Sequence, residues 1–389
     1  MDLRARWQLA HRNDIAIYAP FAFAFYEDRA TYGDRVARGG GGAELQTRLM
    51  AEALARKGLR VAHIVYRGEC QAQLPVSSLE LIERKPWPGR RGLPGKLLEA
   101  LRVWRALADA DARLYLFRGG GAHVIIGAAF CLLRRRRLVC SASNDLDFIF
   151  DRPDRNRWGQ ALYRAALRRS QRVVVQTTQQ RELAHRGLRA GARVEVIPSF
   201  AEPANAPAPA PEPEAFLWAA RLVDYKLPLR YVELARALPE ARFWMVARWT
   251  SDTPEALVEQ LTDAADETPN LELLPPQWRE KVLELIGRSA ALVVTSRYEG
   301  MPNVFLEAWA AGVPVISLHF DPDQRIADEG LGLFADGSWD EFVAAARKLW
   351  TNPELRRQLG DRGREYVARV HSPEAVEERW TAALREALA

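Results

Sequence analysis

The sequence is poor in cysteine, in histidine and in long apolar runs. It has three cysteines (Cys70, Cys131 and Cys140) and six histidines among 389 residues. The cysteine spacing fits neither a zinc site nor a paired disulfide framework, so we expect the reduced thiols of a cytoplasmic protein. The apolar run 125–133 is much shorter than the ~20 residues that span a bilayer. Residues 1–14 lack the apolar stretch of a secretory signal, so we expect neither a membrane span nor a leader.

Acidic residues are scarce in the first half of the chain. Residues 1–198 hold 35 Lys and Arg against 19 Asp and Glu, a net charge of +16, whereas residues 199–389 hold 20 against 31, a net charge of −11. The excess concentrates in basic runs at 134–137 and 168–172. Such a half favours an anionic partner, although an arginine-rich solvated surface explains it too. Nucleic-acid motifs are missing. We expect no nucleic-acid partner and a peripheral contact with the anionic inner face of a membrane.

What the sequence has in abundance is an alternation of short apolar strands with amphipathic helices. The first half predicts a helix closed by Gly58 and strands at 14–25, 59–66, 114–117, 137–143, 172–178 and 193–199. The pattern starts again with strands at 215–222, 241–247, 270–275, 291–296 and 313–320. Strands that alternate with helices indicate a parallel sheet covered on both faces. The fold class is therefore α/β, with two Rossmann-like, doubly wound domains that face each other across a ligand-binding cleft.

The domain boundaries follow from composition. The stretch AEPANAPAPAPEPEA (201–215) is rich in proline and alanine and favours a semi-rigid linker without a core. We place a first domain at 1–198, the linker at 199–214 and a second domain at 215–371. A final helix at 372–389 is free to pack back on either domain, and we assign it to the first.

One stretch, SRYEGMPNVFLEAWAAGVPVIS (296–317), holds two glutamates in apolar surroundings. Glu299 follows a strand, and Glu307 lies about one turn inside the next helix, leaning toward its start. The first amides of that helix, which attract anions, lie between them. Amides flanked by two carboxylates suit a sugar nucleotide, in which a diphosphate joins a ribose to a hexose. Two structural glutamates, one buried and one capping the helix, fit the spacing equally well.

The residues EGMPNVFLEAWAAGVPVIS resemble the signature of the retaining glycosyltransferases of family 4, which have the two-domain GT-B architecture. Segments 39–61, 196–199 (VIPS) and 218–226 (WAARLVDYK) resemble the same family. The resemblance implies a hexosyltransferase that moves a sugar from a UDP-, GDP- or other nucleotide-diphosphate sugar. The implied acceptor is a glycan or a polyprenyl-diphosphate-linked glycan of bacterial exopolysaccharide or surface-polysaccharide synthesis. It also implies that no metal or other cofactor is needed.

The resemblance implies roles for individual residues. Arg221 and Lys226 would neutralise the diphosphate leaving group, Glu299 would bind hydroxyls of the transferred sugar, and Glu307 would bind the ribose. In the second, donor-binding domain, backbone groups of Gly300, Met301, Asn303 and Val304 would line the sugar and phosphate. In the first, acceptor-binding domain, Gly40, Gly41 and Gly42 would let the loop approach the phosphate or acceptor closely.

The sequence departs from the family where many members carry a histidine in the first domain. That position corresponds to Ser143 or Asn144, and Asp145 and Asp147 follow. We expect Asp145 foremost to touch the acceptor or the reacting sugar; the alternative is an Asp-rich loop that caps a helix. We rank His123, on another loop, lower.

One further feature and two rival functions stay open. The triplet 321–323 (DPD) follows a strand and is expected to line the sugar pocket rather than bind a metal. A sugar-nucleotide epimerase of the same shape would act without an acceptor. A non-catalytic binding subunit would keep the fold alone.

Overall fold

The computed structural model describes residues 11–27, 41–68, 72–86, 92–150, 156–188, 192–202, 206–210, 212–249 and 253–389. The chain divides into two compact units. Unit 1 comprises Met1–Phe200 together with Val376–Ala389, and unit 2 comprises Ala201–Ala375. Each unit is built on a parallel sheet with helices, which confirms the predicted α/β class. Gly40 and Cys70, named above, lie outside the described residues.

The sheet of unit 1 has the strand order β3-β2-β1-β4-β5-β6-β7, and each neighbouring pair is parallel. The strands are β1 (Asn13–Tyr18), β2 (Val61–Tyr66), β3 (Leu79–Arg84), β4 (Ala112–Arg118), β5 (Arg137–Ser141), β6 (Arg172–Val175) and β7 (Val194–Val196). The chain winds outward in one direction from β1 and in the other from β4. The carboxyl ends of β1 and β4 therefore form the switch point at which ligands bind in such sheets.

Helices cover both faces of this sheet. They are α1 (Gly42–Arg56), α2 (Leu93–Ala110), α3 (Ala122–Leu133), α4 (Arg157–Arg169) and α5 (Thr178–Leu188). Helices α2 to α5 share one apolar core, in which Phe130 and Tyr115 are almost fully buried. Helix α1 packs in a second core on the opposite face with Ile15 and Leu114. The near-continuous apolar strands predicted from the sequence reflect this two-sided burial.

The last helix, α13 (Pro373–Leu388), belongs to the second core of unit 1. Its side chains Val376, Trp380 and Leu384 are buried there. Glu377 also forms ion pairs with Lys57 (3.3 Å) and Arg56 (3.7 Å) at the end of α1. Residues far apart in sequence thus complete one side of the first sheet.

The sheet of unit 2 has the order β10-β9-β8-β11-β12-β13, again parallel throughout. The strands are β8 (Ala215–Arg221), β9 (Phe243–Arg248), β10 (Leu271–Leu274), β11 (Ser289–Val294), β12 (Val315–Ser317) and β13 (Gly332–Phe334). The helices are α6 (Pro228–Ala237), α7 (Glu255–Asp266), α8 (Arg279–Gly287), α9 (Asn303–Ala311), α10 (Arg325–Asp328), α11 (Trp339–Thr351) and α12 (Pro353–Val370). The strand order reverses between β8 and β11, so the switch point of unit 2 lies at their carboxyl ends.

Residues 201–215 were expected to form a linker without a core, but their described parts pack against unit 2. Ala201 is buried in a core of unit 2, and Ala206 packs against the same core. The Ala210 amide donates to the Gly287 carbonyl at 2.7 Å. A Cβ on Gly287 would lie 2.9 Å from Pro207 Cγ, so only glycine admits this contact. Short residues at 207–210 thus contact the end of α8.

None of the helices in the described parts of the chain is both long and apolar enough to cross a membrane.

Candidate active site

The loop after β8 is hydrogen-bonded to the segment after β11. It contains a single 3-10 turn, Asp224–Lys226, that ends at Leu227 in the left-handed region (φ 49°). The Thr295 hydroxyl donates to the Lys226 carbonyl at 2.6 Å, and the Arg297 amide donates to the Tyr225 carbonyl at 2.9 Å. These bonds hold the two loops together at the switch point of unit 2.

Lys226 and Glu299 form an ion pair at this point. The Lys226 ammonium donates to Glu299 Oε1, and the two side chains are only 15% and 8% exposed. Removing two charges from water is costly unless their mutual geometry is good. The pair therefore holds a cation and a carboxylate in fixed positions, 73 residues apart in sequence. The sequence placed both residues in the donor site, and the structure brings them together.

Arg221, at the end of β8, is exposed. Its Nη2 lies 3.4 Å from the Tyr225 hydroxyl, and the Lys226 ammonium lies 5.7 Å from the centre of the Tyr225 ring. Tyr225 thus contacts both cations and separates them. Nothing in the sequence pattern had singled out this tyrosine.

The turn after Glu299 leads directly into α9. Gly300 and Met301 are buried, and Pro302 precedes the first helical residue. Asn303 and Val304, both partly buried, supply the first amides of this helix. An α-helix start directs its free amides and the positive end of its dipole outward, so it suits a phosphate. The turn therefore places these amides directly after the ion-paired Glu299.

Helix α9 ends as the sequence predicts. Gly312 adopts the left-handed conformation with φ 72° and ψ 30°. The Val313 amide donates back to the Ala308 carbonyl at 2.8 Å, and the Pro314 carbonyl accepts from the Leu292 amide at 3.0 Å. This short return places β12 beside β11 and fixes the position of the helix start.

Glu307, inside α9, is held by a cation that the sequence analysis did not identify. Arg279 Nε donates to Glu307 Oε1 at 2.8 Å, and Arg279 Nη1 lies 2.9 Å from Glu202 Oε2. Burial raises the pKa of Glu307, and Arg279 opposes that rise. Burial disfavours the charged form of Arg279, but the two carboxylates outweigh it and raise the pKa of that guanidinium. Arg279 thereby orients Glu307.

Asp321, the first aspartate after β12, bonds the local backbone. The Asp321 carboxylate accepts from the amides of Ile326 (2.8 Å) and Ala327 (3.1 Å), at the start of α10. Burial raises the pKa of Asp321 in spite of these bonds. The first member of the DPD triplet, Asp321, therefore has a structural role at the start of α10. That the triplet lines a sugar pocket stays a prediction.

In unit 1, the glycine-rich segment is described from Gly41 onward. Gly41 precedes α1, which begins at Gly42, and the Gly41 amide donates to Glu44 Oε2 at 2.8 Å. A Cβ on Gly41 would lie 3.1 Å from that carboxylate oxygen. Close approach of this loop to a phosphate or acceptor remains a prediction.

The SNDLD loop after β5 uses one of its two aspartates for capping. Asp147 Oδ2 accepts from the amides of Ser143 (2.8 Å) and Asn144 (3.2 Å) and is buried. Asp145 Oδ1 accepts from Gln180 Nε2 at 3.2 Å and is only partly buried. The capping alternative thus accounts for Asp147, and Asp145 remains the candidate for contact with a substrate.

His123 occupies the switch point of unit 1, a position that the sequence analysis ranked low. Its ring stacks on Tyr18 at the end of β1, with centroids 5.6 Å apart, and lies 6.2 Å from Phe117. Burial lowers the pKa of His123 to about 4. The imidazole is therefore neutral at pH 7. A neutral imidazole can act as a hydrogen-bonding group but not as a cation.

A cavity of about 250 Å³ opens beside this switch point. Its walls combine apolar groups, such as Ile64 and Val103, with tyrosine and basic side chains. The polar members include Tyr18, Tyr66, Arg84, Lys85, Arg102 and Arg105. Only two acids, Glu99 and Asp109, stand against these four cations in the described lining, and Asp109 already pairs with Arg84. The cavity therefore suits a ligand with an anionic head and an apolar part.

Models of two families match the chain. Glycosyl transferases group 1 matches residues 202–366, and Glycosyltransferase Family 4 matches residues 40–204. The chain belongs to the family 4 glycosyltransferases. The resemblance inferred from the sequence is thus confirmed.

Curated relatives of this family 4 member align over short segments. The lipopolysaccharide core biosynthesis glycosyltransferase LpsE of Rhizobium meliloti is 31% identical over 101 residues, 25% of this chain and 30% of that protein. Glycosyltransferase 1 domain-containing protein 1 of Xenopus tropicalis is 38% identical over 91 residues, 23% of this chain and 26% of that protein. The chain therefore spans less than a third of either relative.

Solved structures align over nearly the whole chain. Sucrose-phosphate synthase from Thermosynechococcus elongatus has a TM-score of 0.78 at 17% identity, covering 96% of this chain and 99% of that one. Anabaena HepE in complex with UDP and glucose has a TM-score of 0.73 at 14% identity, covering 96% and 100%. At these identities the likeness concerns the fold, and it confirms the predicted GT-B architecture.

Proposed function

We propose that this family 4 glycosyltransferase transfers a sugar, with retention of anomeric configuration, from a nucleotide-diphosphate sugar. The acceptor is a glycan or a polyprenyl-diphosphate-linked glycan of bacterial surface-polysaccharide synthesis. The Lys226–Glu299 pair at the switch point of unit 2 carries the proposal, because a cation for a diphosphate stands beside a carboxylate for sugar hydroxyls. The names of the relatives support it, since HepE was solved with UDP and glucose and LpsE is named for lipopolysaccharide core biosynthesis.

The donor would lie across the loops of unit 2. Lys226 and Arg221 would neutralise the charge that develops on the departing diphosphate, which is a large source of rate enhancement in a preorganised site. The first amides of α9 would bind the phosphate oxygens, and Glu307 would accept hydrogen bonds from the ribose. Because these groups supply the charge that a metal provides elsewhere, we propose transfer without a metal.

Retention would follow from attack on the face that the diphosphate leaves. The bond between the anomeric carbon and the phosphate oxygen breaks, the bond to the acceptor oxygen forms, and the acceptor proton passes to the departing phosphate. Neither Glu299 nor Glu307 attacks, since each is engaged with a cation. A product whose anomeric proton showed inversion by NMR would rule out this path.

The acceptor would occupy the cavity of unit 1. Its four basic side chains suit a diphosphate, and its apolar wall suits the first isoprene units of a lipid carrier. His123 stacks on Tyr18, which lines the cavity, so a neutral imidazole stands near its rim.

The donor proposal predicts selective stabilisation by one nucleotide. We expect one of UDP, GDP, ADP or dTDP, or a corresponding sugar nucleotide, to raise the Tm equally with and without EDTA. At a hundredfold excess over Kd, a ligand stabilises the native state by about 2.7 kcal/mol. Arg221→Ala, at an exposed position, should leave the unliganded Tm unchanged and reduce this shift. Lys348→Ala, an exposed cation on α11, is the matched control and should preserve it.

The outcomes separate the rival functions. No stabilisation by any nucleotide would contradict the donor site and favour the non-catalytic alternative. Stabilisation by a sugar nucleotide that is then converted without an acceptor would indicate the epimerase.

The acceptor proposal predicts weaker binding of an isoprenyl diphosphate after loss of two cavity cations. We expect Arg102→Gln together with Arg105→Gln to raise the Kd of farnesyl diphosphate about tenfold, because both arginines are exposed and exposed charge pairs contribute ~0.2–1 kcal/mol each. Isothermal titration calorimetry measures this change. Arg221→Ala distinguishes the cavity from the donor site, and an equal loss of farnesyl diphosphate binding in that variant would contradict the acceptor assignment.

A further inference from the structure

Helix α3 lies at the surface of unit 1 with an apolar outer face. Its twelve residues, AHVIIGAAFCLL, include no Asp, Glu, Lys or Arg. Leu133 is 71% exposed and Leu132 is 57% exposed, and Ala129 is exposed as well. A surface helix normally turns polar residues outward, so this one departs from the rule. Exposed apolar surface of this kind marks an interaction site when it extends over neighbouring elements.

The neighbouring helices extend this surface on both sides. Trp104 of α2 packs edge-to-face on Phe130 of α3, with centroids 5.0 Å apart, and α4 packs against α3 as well. Leu97 and Leu101 are both exposed. They lie two turns and one turn before Trp104 on α2. On α4, Trp158 is 81% exposed and Leu162 is 56% exposed. We call this surface the apolar face, comprising Leu97, Leu101, Leu132, Leu133, Trp158 and Leu162.

The charges around the apolar face are nearly all positive. Acidic residues are absent from 112–144 and from α4. Exposed cations follow Leu133 (Arg134 and Arg135), precede Trp158 (Arg157) and end α4 (Arg168 and Arg169). On α2, Glu99 and Asp109 are the acids, and both line the cavity. A partner of this face must therefore offer both an apolar interior and a negatively charged surface.

We propose that the apolar face of unit 1 docks on the surface of an anionic lipid bilayer. Leucine and tryptophan side chains enter the boundary between headgroups and acyl chains, and the arginines reach the headgroup phosphates. Helix α3, with twelve residues, is about 18 Å long and therefore lies in the interface. The inference does not depend on the proposed reaction, because docking needs neither donor nor acceptor.

A bilayer fits this face better than a folded protein does. Arginines lie beside the apolar helix end at 134–135 and at both ends of α4. Polybasic segments near a membrane gain attraction from every cation at once, whereas a protein partner would need a matching acidic residue for each. The opposite side of the same sheet carries α1 and α13, and α13 has the exposed Arg379 and Arg385. Arg379 and Arg385 therefore provide a control pair of equal charge on the other side of unit 1.

The test measures co-sedimentation of the full chain with vesicles of phosphatidylcholine alone and with added phosphatidylglycerol. We expect binding only when phosphatidylglycerol is present, and weaker binding as salt rises. Arg168→Glu with Arg169→Glu should lower the partition coefficient at least about tenfold, since each cation contributes ~1 kcal/mol near a charged surface. Arg379→Glu with Arg385→Glu changes the net charge equally and should leave binding nearly unchanged.

A second pair of variants tests the apolar contribution. Leu132→Gln with Leu133→Gln should lower vesicle binding about tenfold or more without changing the Tm, because both side chains are exposed. Absence of binding to phosphatidylglycerol vesicles would overturn the proposal. Equal loss in both arginine pairs would overturn it too, since it would indicate attraction by net charge alone. A dimer in solution that Leu132→Gln with Leu133→Gln dissociates, without vesicle binding, would assign the face to a second copy.

Discussion

Lys226→Met is expected to lower the rate of sugar transfer about a thousandfold, because preorganised charge at a leaving group contributes a factor of ~10²–10³. Methionine keeps the length of the side chain and removes its charge. The same change should also destabilise the protein, since Glu299 would stay buried without its cation. Breaking a buried ion pair by removing one partner costs ~3–5 kcal/mol. Initial rates at saturating donor and a urea unfolding curve measure the two effects separately.

The double variant Lys226→Met with Glu299→Gln separates catalysis from stability. We expect it to regain much of the stability that Lys226→Met alone loses, because no uncompensated charge remains. Transfer should stay as low as in the single variant, since both the cation and the sugar-binding carboxylate are missing. A folded Lys226→Met protein that transfers sugar at the wild-type rate would show that the pair is purely structural.

Glu307→Ala is expected to weaken binding of the nucleoside diphosphate by about 10- to 100-fold, because hydrogen bonds to a charged carboxylate contribute ~1.5–3 kcal/mol. It should also abolish discrimination between the ribonucleotide and its 2′-deoxy and 3′-deoxy analogues. Among the described residues, Arg279 is the only hydrogen-bond donor to this carboxylate, and it bonds Oε1. Glu307 Oε2 is thereby left for hydroxyls. Isothermal titration calorimetry with the three nucleotides measures both effects.

Glu202→Ala is the matched control for Glu307→Ala. Glu202 shares Arg279 with Glu307 but is assigned no contact with the donor. Its loss should change the Tm little, since Arg279 keeps Glu307 as partner, and should leave the ribose preference in place. If Glu307→Ala kept the ribose preference, Glu307 would serve only to bind Arg279. The Tm of Glu307→Ala should change little, since Arg279 keeps Glu202 as partner.

The fold was predictable where the sequence pattern is local. Strand β11, the turn, helix α9, the stop at Gly312 and the return at Pro314 all follow from apolar periodicity and from Gly and Pro signals within 30 residues. Strand β3, LELIER, was missed because three of its six residues are charged, without a regular alternation, and the strand lies at the sheet edge. Strand β13 has only three residues, too few for a period to show.

The sequence pattern predicts candidate residues for the site but not how they pair. The pattern around each residue indicated Lys226, Glu299 and Glu307 separately. That Lys226 pairs with Glu299, and that Arg279 holds Glu307, depends on which strands and helices become neighbours. Arg279 lies 28 residues before Glu307, on another helix. Asp147 illustrates the converse, since its capping bonds join residues within four positions and were open to prediction, and the structure shows that they form.

The split composition of unit 1 has a consequence for synthesis on the ribosome. All of unit 2 is translated before Val376–Ala389, so the core formed by α1 and the first sheet lacks Trp380 and Leu384 while unit 2 emerges. The amino-terminal part of unit 1 is therefore synthesised first, but its core is complete only after the last residues of the chain are synthesised. During that interval the apolar side chains that α13 later covers face water, where they are open to chaperones and to aggregation.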